Sequence, residues 1–179
     1  MVLSAVSPSS SSNRSSELAE CGWREESVTQ PDGSTLLVKV PLTNLEFIHP
    51  QEGYHLPNTT FHEAVAGEAK ELLTRRYATD PEVGIFRDLL IEWDIDLGDH
   101  CPDTFVVFGI RNREQNRSKF IVAHEGVRPS LIIEVVSPRY RKADRETKVV
   151  QYARAQVQEY VIIDRRLYRG QDLEEVLGY

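Results

Sequence analysis

Residues 130–164 read SLIIEVVSPRYRKADRETKVVQYARAQVQEYVIID and contain the clearest secondary-structure signals of the chain. The short apolar run at 130–136 is typical of a buried β-strand, and the Ser-Pro pair that follows would end it. The spacing predicts a helix over residues 144–155 and a second strand over 159–164. A strand, a helix and a strand in this order indicate a mixed α/β sheet with helices packed against it.

The preceding part of the chain supplies a further helix and further strands. Thr60 and Glu63 match the T-x-x-E capping box, so we predict a helix that begins at Thr60. Its expected end is the Asp-Pro pair at 80–81. Apolar runs at 85–86, 89–91 and 104–110 predict strands that continue the sheet.

The composition indicates one domain with a tail. A chain of 179 residues has room for one core of ordinary size, and its charged fraction of 27% is that of a globular protein. Residues 1–19 are rich in serine and have few groups able to build a core, so we predict that they are disordered. We expect a single domain over residues 20–179, in which 35–42 form an early strand.

The sequence favours a cytoplasmic protein with no membrane partner. No stretch approaches the roughly 20 apolar residues that cross a bilayer, and the N-terminus lacks the pattern of a secretory signal. Cys21 lies beside the serine-rich tail and Cys101 in a Pro/Asp loop, so neither position suggests a disulfide. A reducing compartment fits this cysteine usage best.

The charge distribution is compatible with a nucleic-acid partner but does not require one. A net charge of -7 weighs mildly against phosphate binding. Basic residues are nevertheless concentrated in two strips, at 111–119 and 139–154. These strips are either contacts for phosphates or ordinary solvated faces.

Asp103 and Glu134 are candidate metal ligands. Glu134 lies in the middle of an apolar strand, where a carboxylate is expected to have a partner or a metal. Asp103 follows Pro102 at the start of the strand 104–110, so it projects near a strand end. Two carboxylates about 4 Å apart repel by roughly 4 kcal/mol at an effective dielectric near 20, and a divalent cation would turn this penalty into attraction. A salt bridge for Glu134 and a turn-forming role for Asp103 are the alternatives.

These pieces together resemble a known family. A Pro-Asp pair, a strand, and a second strand that carries Glu form the pattern of the restriction-endonuclease-like PD-(D/E)xK nucleases. Residues 83–164 look more closely like the Uma-two family of endonucleases. The matching segments are CPDTFVVFGI, RPSLIIEVVSP and DRETKVVQYARAQVQEYVIID.

The resemblance implies a fold, an activity and partners. The implied fold is restriction-endonuclease-like, with a central mixed β-sheet flanked by helices. The implied activity is hydrolysis of nucleic-acid phosphodiester bonds, in DNA more than in RNA, with Mg²⁺ or Mn²⁺ held by Asp103 and Glu134. Homodimerisation is also expected from the resemblance.

Two further catalytic candidates depend on the resemblance. Val136 stands two positions after Glu134, where the wider superfamily has lysine, and in the resembled family that lysine is thought to have moved to the following helix. Lys148 is its counterpart, to position the attacking water or steady developing negative charge; helical spacing alone would instead turn it to solvent, paired with Asp144. Glu68 is a third candidate ligand on the first helix, and its alternative is a carboxylate that reaches solvent.

Two other functions stay open. A catalytically silent relative would keep the fold and lose the reaction, which Val136 and the net acidity favour. A metal-dependent enzyme or sensor for a small phosphorylated molecule would tolerate the acidity. The His100-Cys101 pair does not predict zinc, because no second Cys or His pair stands at ligand spacing.

Overall fold

Nine strands and five helices form residues 9–179, the part of the chain that the computed structural model describes. The helices are α1 (Ser9–Cys21), α2 (Asn44–Ile48), α3 (Thr60–Arg76), α4 (Val122–Glu125) and α5 (Lys148–Arg154). The strands are β1 (Trp23–Thr29), β2 (Thr35–Pro41), β3 (Val83–Phe86), β4 (Leu90–Glu92), β5 (Thr104–Phe108), β6 (Lys119–Ile121), β7 (Pro129–Val135), β8 (Glu159–Tyr168) and β9 (Gln171–Gly178). A 3₁₀ turn (Pro138–Tyr140) and a π-helical turn (Ala143–Thr147) precede α5.

A five-stranded mixed sheet in the order β3-β5-β7-β8-β9 forms the centre of the molecule. Strands β7 and β8 run parallel, because α5 and the turns before it return the chain to the same end of the sheet. The other neighbours in this sheet are antiparallel. The predicted mixed α/β architecture is therefore confirmed. Two smaller sheets accompany it, the hairpin β1-β2 and the parallel pair β4-β6.

The main core lies where α5 and the β4-β6 pair pack against the central sheet. Phe105, Ile132 and Ile162 come from β5, β7 and β8 and are fully buried. Tyr152 of α5 and Phe120 of β6 pack in the same cluster. Full burial of side chains of this size stabilises the fold by about 1.5–3 kcal/mol each, so this cluster fixes the position of β7 relative to α5.

The start of α3 differs in detail from the prediction. The helix begins at Thr60 as expected, but the cap is Thr59, whose side chain accepts a hydrogen bond from the His62 backbone N–H. The predicted capping box of Thr60 and Glu63 is therefore wrong, and the Glu63 carboxylate instead contacts Arg87. The helix ends at Arg76, before the Asp-Pro pair, because a turn already occupies the intervening residues.

The face of α5 that packs inward is only partly the one that its apolar pattern predicts. Val149 packs against the core as that pattern predicts, but Val150 is 62% exposed, whereas Lys148 and Tyr152 are buried. The π-helical turn places Asp144 inside as well. Ion pairs compensate for the burial of these charged groups, and apolar periodicity does not register such compensation.

The structure places part of the serine-rich N-terminal segment in a helix. Residues 1–8 of the predicted disordered tail lie outside the described residues, whereas 9–19 belong to α1. Arg14 of α1 donates a hydrogen bond to the Lys39 carbonyl on β2, and the Tyr140 hydroxyl donates to the Cys21 carbonyl at the end of the helix. These contacts supply the partners that a serine-rich sequence lacks on its own.

Among the described residues, no helix has the length and apolar character needed to span a membrane.

Candidate active site

A cavity of about 330 Å³, which we call the carboxylate cavity, opens beside the carboxyl end of β7. Its polar wall contains the side chains of Asp103, Glu134, Asp144, Lys148 and His62. The loop between α2 and α3 supplies much of the opposite wall. The fold therefore brings polar groups from β5, β7, α3 and the α5 region to one place.

Sheet register brings Asp103 and Glu134 together. Thr104 pairs with Ile133 across the antiparallel strands β5 and β7, so the preceding Asp103 lies opposite Glu134. Cross-strand neighbours point to the same face of a sheet. Asp103 is further held by the Val135 backbone N–H, which donates to its Oδ2 at 2.6 Å.

Each of these two carboxylates keeps one oxygen free of protein donors. Oε1 of Glu134 accepts from Lys148 Nζ at 3.0 Å and from the Tyr152 hydroxyl at 2.8 Å. Oδ2 of Asp103 is held by Val135 and lies 3.0 Å from His62 Nε2. No residue in 9–179 makes a hydrogen bond to Asp103 Oδ1 or Glu134 Oε2. These two oxygens are available to a ligand.

Lys148 is buried between two acids rather than turned to solvent. Its Nζ lies 3.0 Å from Glu134 Oε1 and 2.9 Å from Asp144 Oδ1. Burial alone would lower the pKa of Lys148, but the charges of Asp144 and Glu134 outweigh it and raise that pKa above its ordinary value. Burial also raises the pKa of Glu134, although Lys148 opposes this shift. Lys148 therefore carries a positive charge inside the site, and the solvent-facing alternative is wrong.

His62 belongs to the site and was missed by reasoning from sequence. It lies one turn before Ala66, the fully buried α3 residue whose carbonyl accepts from the Thr104 hydroxyl at 3.2 Å. Burial opposes protonation of His62, but the hydrogen bond and charge of Asp103 prevail and raise its pKa. Its Nδ1 is buried without a partner in the described part of the chain. The only sequence signal was the small residue at position 66, which allows α3 to pack closely on β5.

Glu68 does not reach the cavity. It is exposed on α3 and is not among the residues of the cavity wall. Two residues along an α-helix correspond to a rotation of about 200°, so the packing of Ala66 against β5 turns Glu68 away. The predicted third ligand is therefore not brought to the other two.

The described residues offer a cation two carboxylates, not a larger side-chain cage. Within 9–179, no group of three or more His, Cys, Asp and Glu side chains is arranged to hold a metal ion. Mg²⁺ commonly takes one or two carboxylates and completes its octahedron with water and substrate phosphate. The free oxygens of Asp103 and Glu134 match that requirement. The acids Asp88, Asp103, Glu134 and Asp144 also outnumber the basic groups Lys148 and His62 on the cavity wall, so the cavity favours a cation.

A hydrogen-bonded chain reaches α5 at Gln151, about one turn after Lys148, and holds this helix in place. Trp93 Nε1 donates to His100 Nδ1 at 2.9 Å, and His100 Nε2 contacts Gln151 Oε1 at 3.0 Å. Gln151 Nε2 in turn contacts His49 Nε2 at 3.0 Å. Because indole N–H can only donate, His100 Nδ1 must accept and its Nε2 must carry the proton. Burial lowers the pKa of His100 to about 3, so this ring is neutral.

Most arginines of the two basic strips contact the protein itself. Arg113 donates to the Asp80 carbonyl, and Arg117 pairs with Glu125. Arg141 and Arg145 both bind Asp164. The strips are therefore less available to phosphates than their composition suggests.

The chain is similar to a known protein family and to a solved structure. The family model described as "Uma2: Putative restriction endonuclease" matches residues 45–173, which include every polar residue of the cavity named above. Among solved structures, the chain is similar to a "putative nuclease belonging to DUF820 from Anabaena variabilis ATCC 29413", with 19% identity and a TM-score of 0.48. That match covers 77% of this chain and 79% of the other. No curated protein matches the chain. The family match confirms the predicted family.

Proposed function

Because the chain belongs to the Uma2 family of "putative restriction endonucleases", we propose that it is a divalent-metal-dependent endonuclease that hydrolyses phosphodiester bonds in nucleic acid. One observation carries the proposal. Asp103 and Glu134 come from neighbouring strands, line one cavity, and each has an oxygen without a protein donor. Mg²⁺ or Mn²⁺ would be held by these two oxygens, and when bound it supplies the charge that polarises a phosphate and acidifies water.

Two other side chains of the cavity, Lys148 and His62, have different roles. Lys148 is held by Glu134 and Asp144, and its raised pKa means that it keeps its proton. It is therefore suited to stabilise negative charge in the transition state, not to accept a proton from water. His62 contacts Asp103 Oδ2 and fixes the orientation of that carboxylate. We assign Lys148 an electrostatic role and His62 a positioning role.

The test is metal-dependent cutting combined with metal binding. Wild-type protein is incubated with plasmid and single-stranded DNA in Mg²⁺ or Mn²⁺, and cation binding is measured by calorimetry. We expect Asp103→Asn and Glu134→Gln to lose both cation binding and cutting. Glu68→Gln is the matched control, because Glu68 is an exposed carboxylate that does not line the cavity, and it should keep both. Cutting that persists in the two carboxylate variants would refute the proposal.

A second candidate function is a metal-dependent enzyme or sensor for a small phosphorylated molecule. The observation that favours it is the size of the carboxylate cavity, about 330 Å³, which lies at the lower end of small-ligand pockets. The engagement of many basic-strip arginines in internal contacts also favours a compact ligand. Cation binding without cutting of DNA or RNA would support this candidate, and absence of cation binding would support a silent relative.

DNA as the preferred substrate and homodimerisation remain predictions of the family resemblance. Competition between DNA and RNA in the cutting assay tests the first. Sedimentation equilibrium of the purified protein tests the second.

A further inference from the structure

A second cavity of about 530 Å³ adjoins the carboxylate cavity. We call it the α1 cleft, because α1 residues such as Ala19 and Glu20 form one of its walls. The two cavities share Pro57, Asn58, His62 and Ser137. A ligand that enters the carboxylate cavity can therefore extend into the α1 cleft without leaving the protein surface.

The walls of the α1 cleft are largely apolar. Ala19, Pro57, Val136 and Pro138 line it from different segments of the chain. The cavity volume lies within the range of about 300–1,000 Å³ that is usual for small-ligand pockets. An apolar wall of this kind can pack against the face of a nucleobase.

The cleft also contains polar groups without protein partners. Arg139 is exposed and makes no ion pair or hydrogen bond with the residues whose side chains the structure describes, unlike Arg141 and Arg145 nearby in the chain. Ser137 is only 9% exposed, and its hydroxyl does not cap the turn that follows it. His62 Nδ1 is likewise buried and unpartnered among these residues. Arg139 has no described protein partner, and His62 Nδ1 beside it in the cleft wall has none either. These two groups indicate that the ligand is polar and anionic.

We propose that the α1 cleft binds the nucleoside next to the scissile phosphate, with Arg139 contacting the phosphate on its far side. This inference rests on the proposed nuclease function, and it names the part of the substrate that the second cavity holds. Glu20 is the one carboxylate in the cleft wall, and it opposes an anionic ligand. We therefore expect filling of the cleft or loss of Arg139 to lower the affinity for DNA, and neutralisation of Glu20 to raise it.

The experiment measures binding of a fluorescein-labelled single-stranded DNA hexamer by anisotropy, with Ca²⁺ in place of Mg²⁺. Ala19→Trp fills the cleft and Arg139→Ala removes its free cation, so each should weaken binding about tenfold, whereas Glu20→Gln should tighten it. The controls are Ala64→Trp and Arg76→Ala, which change exposed residues of α3 outside both cavities. Calorimetric Ca²⁺ binding and thermal melting are recorded for every variant.

Three outcomes are decisive. Weaker binding in the two cleft variants, with controls and cation binding unchanged, supports the inference. Hexamer binding and metal-dependent cutting by the wild type, with all cleft variants unchanged, overturns it and leaves the proposed function standing. A wild-type protein that neither binds the hexamer nor cuts DNA or RNA overturns both.

Discussion

Glu134 and Asp164 are buried carboxylates on the adjacent parallel strands β7 and β8, yet their surroundings differ. Asp164 is fully buried, and each of its oxygens is bound by an arginine, Oδ1 by Arg141 at 2.9 Å and Oδ2 by Arg145 at 2.7 Å. Glu134 is 3% exposed, but only its Oε1 is bound, by Lys148 and a tyrosine. Both oxygens of Asp164 therefore have protein partners, whereas only one oxygen of Glu134 has partners among the described residues.

The difference teaches that burial of an acid on a strand does not identify a site. Both residues occur in similar apolar contexts, IIEVV and VIIDRR. What distinguishes Glu134 is an oxygen without a partner, a cavity in front of it, and Asp103 on the neighbouring strand. Asp164 therefore belongs to a structural ion pair, whereas Glu134 is a candidate ligand of a metal ion.

The largest expected effect concerns Lys148. If this lysine were only a counter-ion, as the arginines of Asp164 are, its loss would cost stability without a specific loss of chemistry. We expect Lys148→Gln to reduce the rate of cutting about 100- to 1,000-fold, which is typical of removing one donor to a developing negative charge. Single-turnover kinetics measure the rate, and calorimetry should find cation binding retained. Full cutting by Lys148→Gln would remove this residue from the mechanism.

The second prediction concerns how much Asp164 and Glu134 each contribute to the free energy of unfolding. We expect Asp164→Asn to lower the free energy of unfolding by about 3 kcal/mol, because it leaves Arg141 without an acid and Arg145 with Glu175 alone. Glu134→Gln should lower it by only about 1 kcal/mol, because the glutamine oxygen can still accept from Lys148 and Tyr152, and Lys148 keeps its ion pair with Asp144. Urea denaturation at neutral pH measures both. Equal losses would erase the distinction between the two acids.

A smaller effect concerns His100, which helps to hold α5. Burial lowers its pKa to about 3, whereas a histidine in the unfolded chain titrates near about 6.5. Above that pH the ring is neutral in both states. Below it only the unfolded chain takes up the proton, so stability falls as the pH drops toward the folded pKa. The expected loss is about 2 kcal/mol at pH 5, from about 1.4 kcal/mol per pKa unit.

The matched variant for this prediction is His100→Gln, which cannot titrate. Urea denaturation from pH 7 to pH 5 should give a shallower loss of stability for the variant than for the wild type. Identical slopes would mean that His100 is not held neutral by its surroundings.

Much of the fold and the two central carboxylates were predictable from the sequence. Apolar runs identified β5 and β7, and the Pro-Asp pair located Asp103 at a strand end. A carboxylate inside an apolar run identified Glu134. These signals are local, so a single sequence is enough to find them.

The rest depends on contacts that are distant in the chain. The face of α5 was only partly predicted because Lys148 and Asp144 are buried by pairing with each other and with Glu134 from another element. His62 reaches Asp103 across a gap of 41 positions, through the packing of Ala66 on β5. Most of α1 was assigned to a disordered tail because its partners lie on the β1-β2 hairpin and after β7. Periodicity and capping rules contain no information on such partners.

The most direct test of the central claim is the anomalous diffraction signal of crystals soaked in Mn²⁺. The account predicts one strong peak per chain, within coordinating distance of Asp103 Oδ1 and Glu134 Oε2, and no such peak in Glu134→Gln. A peak at other residues, or no peak at saturating Mn²⁺, would contradict the claim that these two carboxylates share a cation.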